Sequence, residues 1–201
     1  MTASEQNTEF PLKPGVLALD IGGVCIRLHP ERCFGRLGYR SITEVPQEFL
    51  AAVDRMETGN LTEHEFASIF RKVTGNALPE SVLSELWCAT LGEPMPGMAA
   101  LVRDMKKAGF HPVFFSDTSI LHIRYFRERF PIAEFVPDGI YSFVAGAKKP
   151  QPAMFAAFEA DYGKPVLYVD DRAICLEGAK AFHWRTHQFK DADTLRELLG
   201  L

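Results

Sequence analysis

Side chains able to bind metal ions and phosphate end short apolar runs at three places in this chain of 201 residues. Asp20 ends the run VLALD, Ser116 and Asp117 end PVFFSD, and Asp170 and Asp171 end VLYVDD. Runs this short and this continuous in apolar residues are typical of parallel strands covered on both faces. Because ligands of open parallel sheets bind beyond the carboxyl ends of the strands, we expect these side chains to converge on one edge.

Two lysines complete the set of candidate site residues. Lys148 and Lys149 lie in the segment AGAKKPQP, which follows a fourth apolar run at 139–143. Each polar residue taken alone has an ordinary explanation as a helix cap, a strand end or a loop residue. Four strand ends that agree point instead to phosphate chemistry, with a carboxylate nucleophile, a lysine that neutralises phosphate charge and a hydroxyl that holds a phosphoryl oxygen. Asp20 and the pair that ends VLYVDD also offer the hard oxygen ligands that Mg²⁺ prefers.

The elements that must position these residues follow an alternating pattern. Strand-like runs are predicted at 16–20, 112–116, 139–143, 166–170 and, more weakly, 185–189. Between them lie helical patterns, one opened by Pro96 and closed by Gly109, the other opened by Pro152 and closed by Gly163. Strands that alternate with helices of this length predict an α/β fold with a Rossmann-like parallel sheet.

Residues 31–95 break this rhythm, because they carry helix signals and no convincing strand. A helix is predicted over 48–57, a capping box at Thr62-Glu63-His64-Glu65 predicts the start of a second, and a third begins near Pro79. We therefore predict a helical cap, formed by 30–95, inserted after the first strand of a core formed by 15–29 and 96–201. Residues 1–14 are predicted to be a flexible tail, and Trp87 is predicted to belong to the interior of the cap.

Composition excludes several other functions. The net charge is −4 and no run of Lys or Arg occurs, which argues against a nucleic-acid partner. No apolar stretch approaches the length of a membrane span, and the polar first residues do not form a signal peptide. The four scattered cysteines are typical of a reduced, cytoplasmic protein and make a zinc site unexpected. The sequence carries no signal of an oligomeric state.

The order of the motifs resembles that of one known enzyme family. The stretches "DIGGV", "FFSD", "KKPQPAMF" and "LYVDDRAICLEGAKA" are similar to the four motifs of the haloacid-dehalogenase-like (HAD) hydrolases, and the likeness extends over residues 15–190. The chain looks most like the subfamily with a small helical cap after the first strand, which includes many sugar-phosphate phosphatases. The resemblance implies Mg²⁺-dependent hydrolysis of a small phosphorylated metabolite, with a sugar phosphate as the first expectation, through an aspartyl-phosphate intermediate.

The same resemblance assigns roles to individual residues. Asp20 matches the nucleophile. Phosphate binding falls to Ser116, Asp117 and Lys149, and catalysis to Asp20, Ser116 and Lys149. Magnesium binding falls to Asp20, the backbone carbonyl of Gly22, Asp171 and Asp170, the last as a supporting partner or an alternative ligand.

Gly22 departs from the pattern of the family's phosphatases. These enzymes usually carry an aspartate at this position, which protonates the leaving oxygen and then activates water. General acid–base catalysis contributes about 10²–10⁴-fold in rate, so its loss predicts a slow or leaving-group-selective enzyme. The loss matters least for anomeric sugar phosphates, acyl phosphates and aryl phosphates. Three other side chains are candidates for the missing role: His29, Glu57 and His122.

Two alternatives remain at this stage. A catalytically silent protein that binds or senses a phosphorylated metabolite would explain the loss of the aspartate, although binding alone does not require a nucleophile such as Asp20. A metal-free C–halogen hydrolase would also need no acid at position 22, although the pair Asp170–Asp171 resembles a metal site.

Overall fold

The computed structural model describes residues 12–75 and 79–201, so the predicted flexible tail lies almost entirely outside the described residues. Within these ranges the strands, β1 to β7 in chain order, are Val16–Leu19, Ile26–Leu28, Leu91–Pro94, His111–Ser116, Gly139–Tyr141, Leu167–Asp170 and Thr186–Gln188. The α-helices of the same ranges, α1 to α11, are Pro30–Phe34, Gln47–Glu57, Glu63–Thr74, Glu80–Cys88, Met98–Lys107, Ile120–Arg129, Ile132–Phe135, Ser142–Ala145, Pro152–Tyr162, Ala173–Lys180 and Ala192–Leu199.

The main sheet is parallel throughout, with the strand order β5-β4-β1-β6-β7. Strand β1 is central, and the chain adds strands first on one side of it and then on the other. The carboxyl end of β1 is therefore a topological switch point, which is where open α/β sheets bind ligands. The predicted α/β fold with a Rossmann-like parallel sheet is confirmed.

Both faces of the sheet are covered, as the continuous apolar runs predict. Leu17 and Leu19 of β1 join one hydrophobic cluster, whereas Ala18 between them joins a cluster on the opposite face. This alternation follows from the two-residue period of a strand. Helices α5, α6 and α11 contribute to the first cluster, and α9 and α10 contribute to the second. The backbone at the end of β1 is therefore held rigidly from both sides.

Strand β5 is shorter than the sequence predicts. It pairs with β4 only as far as Ser116, where β4 ends, so the chain beyond Tyr141 has no strand to pair with. The hydroxyl of Ser142 instead accepts from the backbone N–H of Thr118 at 2.8 Å and donates to the carbonyl of Thr118 at 3.0 Å. A short helix, α8, therefore replaces the predicted end of the strand.

Helices α1–α4, called the inserted helices below, lie between β2 and β3. They surround Phe49, Phe66, Phe70 and Trp87 in a hydrophobic cluster of their own. The predicted capping box is confirmed, since the hydroxyl of Thr62 accepts from the backbone N–H of Glu65, and the Glu65 carboxylate accepts in return.

The antiparallel pair β2–β3 joins the inserted helices to the sheet and was not predicted from the sequence. Ile26 pairs with Pro94 and Leu28 with Leu91. Gly92 and Pro94 within LGEP argue against a strand on local grounds. The glycine is required here, because a Cβ at position 92 would collide with the imidazole of His29. The pairing thus depends on a contact that is distant in sequence.

Within the described residues, no helix combines the length and the apolar character that crossing a bilayer requires.

Candidate active site

Asp20 follows β1 directly and is almost completely buried. Its backbone N–H donates to the carbonyl of Val169, which continues the hydrogen-bonding pattern of the sheet and fixes the direction of the side chain. The carboxylate Oδ1 accepts from the backbone N–H of Ile21 at 2.7 Å and lies 3.2 Å from Nζ of Lys149. Burial raises the pKa of Asp20 to about 6, although the lysine opposes this shift.

The two glycines after Asp20 have different reasons to be glycine. Gly23 has a φ of +74°, and a Cβ there would collide with the carboxylate of Asp171. A glycine at this turn therefore lets Asp171 approach the end of β1. Gly22 has no such backbone requirement, but a Cβ on it would lie 2.7 Å from Cδ1 of Leu28. The side chain of Leu28 thus fills the space beside Gly22.

Lys149 has a completely buried side chain that joins three strand ends. Its Nζ donates to the carbonyl of Phe115 at 2.8 Å and to Oδ2 of Asp170 at 2.7 Å, besides its contact with Asp20. Burial by itself would lower the pKa of Lys149, but the charges of Asp20 and Asp170 outweigh it and raise the pKa. The lysine is therefore a fixed positive charge inside the site.

Asp170 is committed to holding this lysine. Its Oδ2 also accepts from the hydroxyl of Tyr168, and its Oδ1 accepts from the backbone N–H of Arg172 at 2.8 Å. Burial would raise the pKa of Asp170, but Lys149 and these hydrogen bonds outweigh it and lower the pKa. Both oxygens of Asp170 thus have protein partners, which fits a supporting role better than that of a metal ligand.

Asp20, Asp170 and Asp171 form an acidic cluster in which one oxygen from each residue lies within 4.8 Å of the others. Asp171 is the most exposed member, and its partial loss of contact with water together with the charge of Asp170 raises its pKa. The three carboxylates face the ammonium of Lys149 and the guanidinium of Arg172, which lies 3.8 Å from Asp170 and is also paired with Asp117, so the site carries uncompensated negative charge. Hard carboxylate oxygens with an exposed side are the donors that suit Mg²⁺, which keeps several water ligands. The residues present therefore fit this ion.

Arg172 is a site residue that sequence reasoning missed. Its Nη2 donates to Oδ2 of Asp117 at 2.9 Å, while Oδ1 of Asp117 accepts from the backbone N–H of Lys149 at 2.9 Å. Asp117 is thus paired, and its charge is compensated at the place where it would otherwise repel an anion. The signal for Arg172 was its position directly after Asp170-Asp171, on the same strand end. Burial by itself would lower the pKa of the guanidinium, but the hydrogen bond with Asp117 outweighs it and raises the pKa above its usual value.

A polar cavity of about 220 Å³ opens above these strand ends. Its walls are formed by Asp20, Gly22, Leu28, Glu57, Ser116, Asp117, Lys148, Asp171 and Arg172. The structure thus brings together most of the residues singled out from the sequence. Lys149 and Asp170 are absent from the walls and lie behind them. Lys148 also lines this cavity and is only partly exposed. Its Nζ donates to Glu57 at 2.6 Å and to Asp54 at 3.1 Å.

A second cavity of about 190 Å³ adjoins the first and is mainly apolar. Both cavities are lined by Gly22, Leu28, Glu57, Ser116 and Asp117. The second cavity extends between the sheet and the inserted helices, where its further walls are Ile21, Ile26, Pro30, Phe34, Trp87, Thr90, Leu91, Thr118 and His122. Trp87, predicted to be interior only, therefore also faces this cavity.

Comparison with known proteins decides the family. The family model of the haloacid dehalogenase-like hydrolases matches residues 11–183. The chain belongs to this family. The acidic cluster of this HAD-like hydrolase, Asp20, Asp170 and Asp171, lies within the matched residues.

Solved structures of other family members share the fold. The HAD family enzyme BT-2542 from Bacteroides thetaiotaomicron superposes with a TM-score of 0.79 at 21% identity, over 92% of this chain and 98% of that one. A predicted HAD-like family hydrolase from Porphyromonas gingivalis gives 0.76 at 20% identity, over 93% and 98%. The L-2-haloacid dehalogenase from Xanthobacter autotrophicus, with chloropropionic acid covalently bound, gives 0.61 at 18% identity, over 93% and 83%.

The three candidates for the missing acid–base role of this hydrolase lie in different surroundings. His29 is bound to Glu31 and Glu93 and lines neither cavity. His122 lines only the apolar cavity, where burial lowers its pKa to about 4. Glu57 lines both cavities, and burial raises its pKa although Lys148 opposes this shift.

The two neighbouring aspartates after β6 should differ sharply in their effect on stability. Asp170→Asn removes a buried partner of Lys149 and should lower the free energy of unfolding by about 3 kcal/mol. Asp171→Asn is the matched control. Its carboxyl has a raised pKa, so loss of the charge at neutral pH should leave stability unchanged or slightly higher. Urea unfolding in the presence of a chelator measures both, and equal losses would contradict the assigned roles.

Proposed function

We propose that this HAD-like hydrolase is a Mg²⁺-dependent phosphatase that releases phosphate from a small phosphorylated metabolite through an aspartyl-phosphate on Asp20. The observation that carries the proposal is the placement of Asp20 at the switch point, 3.2 Å from the buried ammonium of Lys149, beside a polar cavity. BT-2542, which has the same fold, has been crystallised with magnesium and inorganic phosphate. Sugar phosphates remain the substrates that the subfamily resemblance suggests.

In this proposal Asp20, Asp171 and the carbonyl of Gly22 would hold the ion, which supplies positive charge to the phosphate oxygens when it is bound. Arg172 and Ser116 line the polar cavity, and in this proposal their guanidinium and hydroxyl groups would bind further phosphoryl oxygens. Lys149 restrains the nucleophile and keeps it ionised, because the ammonium offsets the burial that raises the pKa of Asp20.

The reaction then has two steps. In the first, an oxygen of Asp20 forms a bond to phosphorus while the bond from phosphorus to the leaving oxygen breaks. In the second, water attacks the same phosphorus and releases inorganic phosphate from Asp20. Position 22 offers no side chain to protonate the leaving oxygen or to take a proton from this water. Glu57 is the carboxylate placed at the boundary of the two cavities, so we assign the proton from water to Glu57.

Phosphate release should require Mg²⁺ and should be lost in Asp20→Asn, because this variant keeps the shape of the nucleophile but not its nucleophilicity. A panel of sugar, acyl, aryl and alkyl phosphates, assayed for inorganic phosphate with and without chelator, measures both requirements. The rate of phosphate release should fall by about 10³-fold or more, since the two-step path through Asp20 is removed.

The same panel separates the alternatives. Equal phosphate release by the wild type and Asp20→Asn would rule out the proposed nucleophile. Tight binding of phosphate esters with no turnover would indicate a silent binding protein. Release of chloride from 2-haloacids without Mg²⁺ would indicate a dehalogenase, the activity of the Xanthobacter autotrophicus enzyme that shares this fold.

Removal of the carboxyl of Glu57 should slow the reaction, and an acid at position 22 should restore it. With 4-nitrophenyl phosphate, for which the second step should limit turnover, we expect Glu57→Gln to lower kcat by about 10²-fold, the lower range for general acid–base catalysis. Asp54→Asn is the matched control, because it removes the other partner of Lys148 from outside both cavities. It should leave kcat within about threefold of the wild type.

The rescue requires space beside Gly22. The variant Gly22→Asp is therefore combined with Leu28→Ala, because Leu28 occupies the position that the new Cβ approaches. In the Glu57→Gln background this pair should raise kcat on 4-nitrophenyl phosphate by about tenfold or more, whereas Leu28→Ala alone should not. Failure of the rescue would mean that the missing aspartate does not limit the rate.

A further inference from the structure

We propose that the apolar cavity receives the leaving group of the substrate, and that this group is a compact apolar alcohol, a phenol above all, rather than a sugar. The inference rests on the proposed phosphatase function, since it names the class of ester on which the site acts. It is carried by the lining of the cavity, by the pairing of Thr90 and His122 within that lining and by the absence of a side chain at Gly22.

The position of the cavity makes it the place for a leaving group. Gly22, Leu28, Ser116 and Asp117 border both cavities, so the apolar cavity directly adjoins the place where a phosphate would bind beside Asp20. The apolar cavity measures about 190 Å³. Dry apolar cavities of about 150 Å³ accommodate benzene, so one aromatic ring fits.

Most of the wall is hydrocarbon or aromatic ring. The apolar side chains of this cavity come both from the sheet and from the inserted helices: Ile21, Ile26, Leu28, Pro30, Phe34, Trp87 and Leu91. The indole of Trp87 is stacked on the imidazole of His122, with ring centres 4.8 Å apart and planes 12° from parallel. A flat apolar ligand gains contact area and loses little solvation against such a surface.

The polar side chains of Thr90 and His122 in the wall are already paired. The hydroxyl of Thr90 donates to the carbonyl of Trp87 at 2.9 Å, and Nε2 of His122 lies 3.2 Å from that hydroxyl. Within the described residues the indole Nε1 of Trp87 is a donor with no partner. A sugar carries several hydroxyls, each of which would lose its hydrogen bonds to water with little replacement here. A phenol carries none besides the ester oxygen.

The chemistry at Gly22 favours the same class of ester. Phenols ionise near pH 10, as tyrosine does, so a phenolate leaves phosphorus with little help from a proton donor. An alkoxide needs that help far more. A site without an acid at position 22 is therefore suited to esters whose alcohol is acidic, and the apolar cavity selects such alcohols when they are aromatic.

Leu28 offers a direct test, because it lines both cavities and is half exposed, so that a substitution does not disturb the core. Phenylphosphonate and methylphosphonate are suitable probes, since neither has a bond that the enzyme can hydrolyse and their difference in affinity reports the cavity alone. Glucose 1-phosphate, bound to Asp20→Asn, represents the sugar class. Ile42→Asn is the matched control for Leu28→Asn, because Ile42 is equally exposed and lines neither cavity.

With Mg²⁺ present, calorimetry should give a dissociation constant for phenylphosphonate at least tenfold lower than for methylphosphonate. Leu28→Asn should reduce this ratio to about threefold or less, and Ile42→Asn should leave it unchanged. Equal affinities, no binding of either probe, or tighter binding of glucose 1-phosphate than of phenylphosphonate would each overturn the inference. Selective binding of phenylphosphonate without phosphate release from aryl phosphates would instead disprove the phosphatase proposal and leave the binding preference in place.

Discussion

The site depends on one buried ammonium. Lys149 has no exposed side-chain surface, and its Nζ is shared by Asp20, Asp170 and the carbonyl of Phe115, each at the end of a different strand of the sheet. An ion buried in this way is stable only if its partners are fixed and its hydrogen bonds are complete. The side chains of β1, β4 and β6 are packed on both faces of the sheet and hold the partners of Lys149 in place. The packing that stabilises the core therefore also fixes the position of the Asp20 carboxylate.

This arrangement leaves an excess of negative charge, which suits the site to a divalent cation. One ammonium does not neutralise three clustered carboxylates, and burial leaves Asp20 with a pKa of about 6. A divalent cation would correct the imbalance from the exposed side, where Asp171 lies. The guanidinium of Arg172 compensates the charge of Asp117. An anion that enters the polar cavity therefore meets a guanidinium beside a compensated carboxylate. The same cavity can thus attract both a cation and a phosphate.

The parallel sheet and the position of the polar residues at its edge follow from the sequence, because strands covered on both faces have continuous apolar runs and their ends are marked by polar residues. The alternation of Leu17, Ala18 and Leu19 between the two faces is a direct consequence of strand geometry. Other features depend on contacts that local spacing does not reveal. The pairing of β2 with β3 requires Gly92 to make room for His29, and the half-buried state of Lys148 requires Glu57 to approach from the inserted helices. The apolar cavity likewise exists only once those helices lie over the sheet.

The central claim is that Asp20 carries the phosphoryl group between the two steps. Because water is activated by Glu57, a carboxylate bound to Lys148, and not by a side chain at position 22, the second step should be slow relative to the first when the leaving group is a phenolate. Acid quenching during turnover of 4-nitrophenyl phosphate, followed by peptide mass spectrometry, tests this directly. We predict a phosphoryl group on Asp20, formed together with a burst of nitrophenolate that approaches one equivalent per enzyme before steady-state turnover. Turnover with no phosphoryl group on Asp20 would contradict the account.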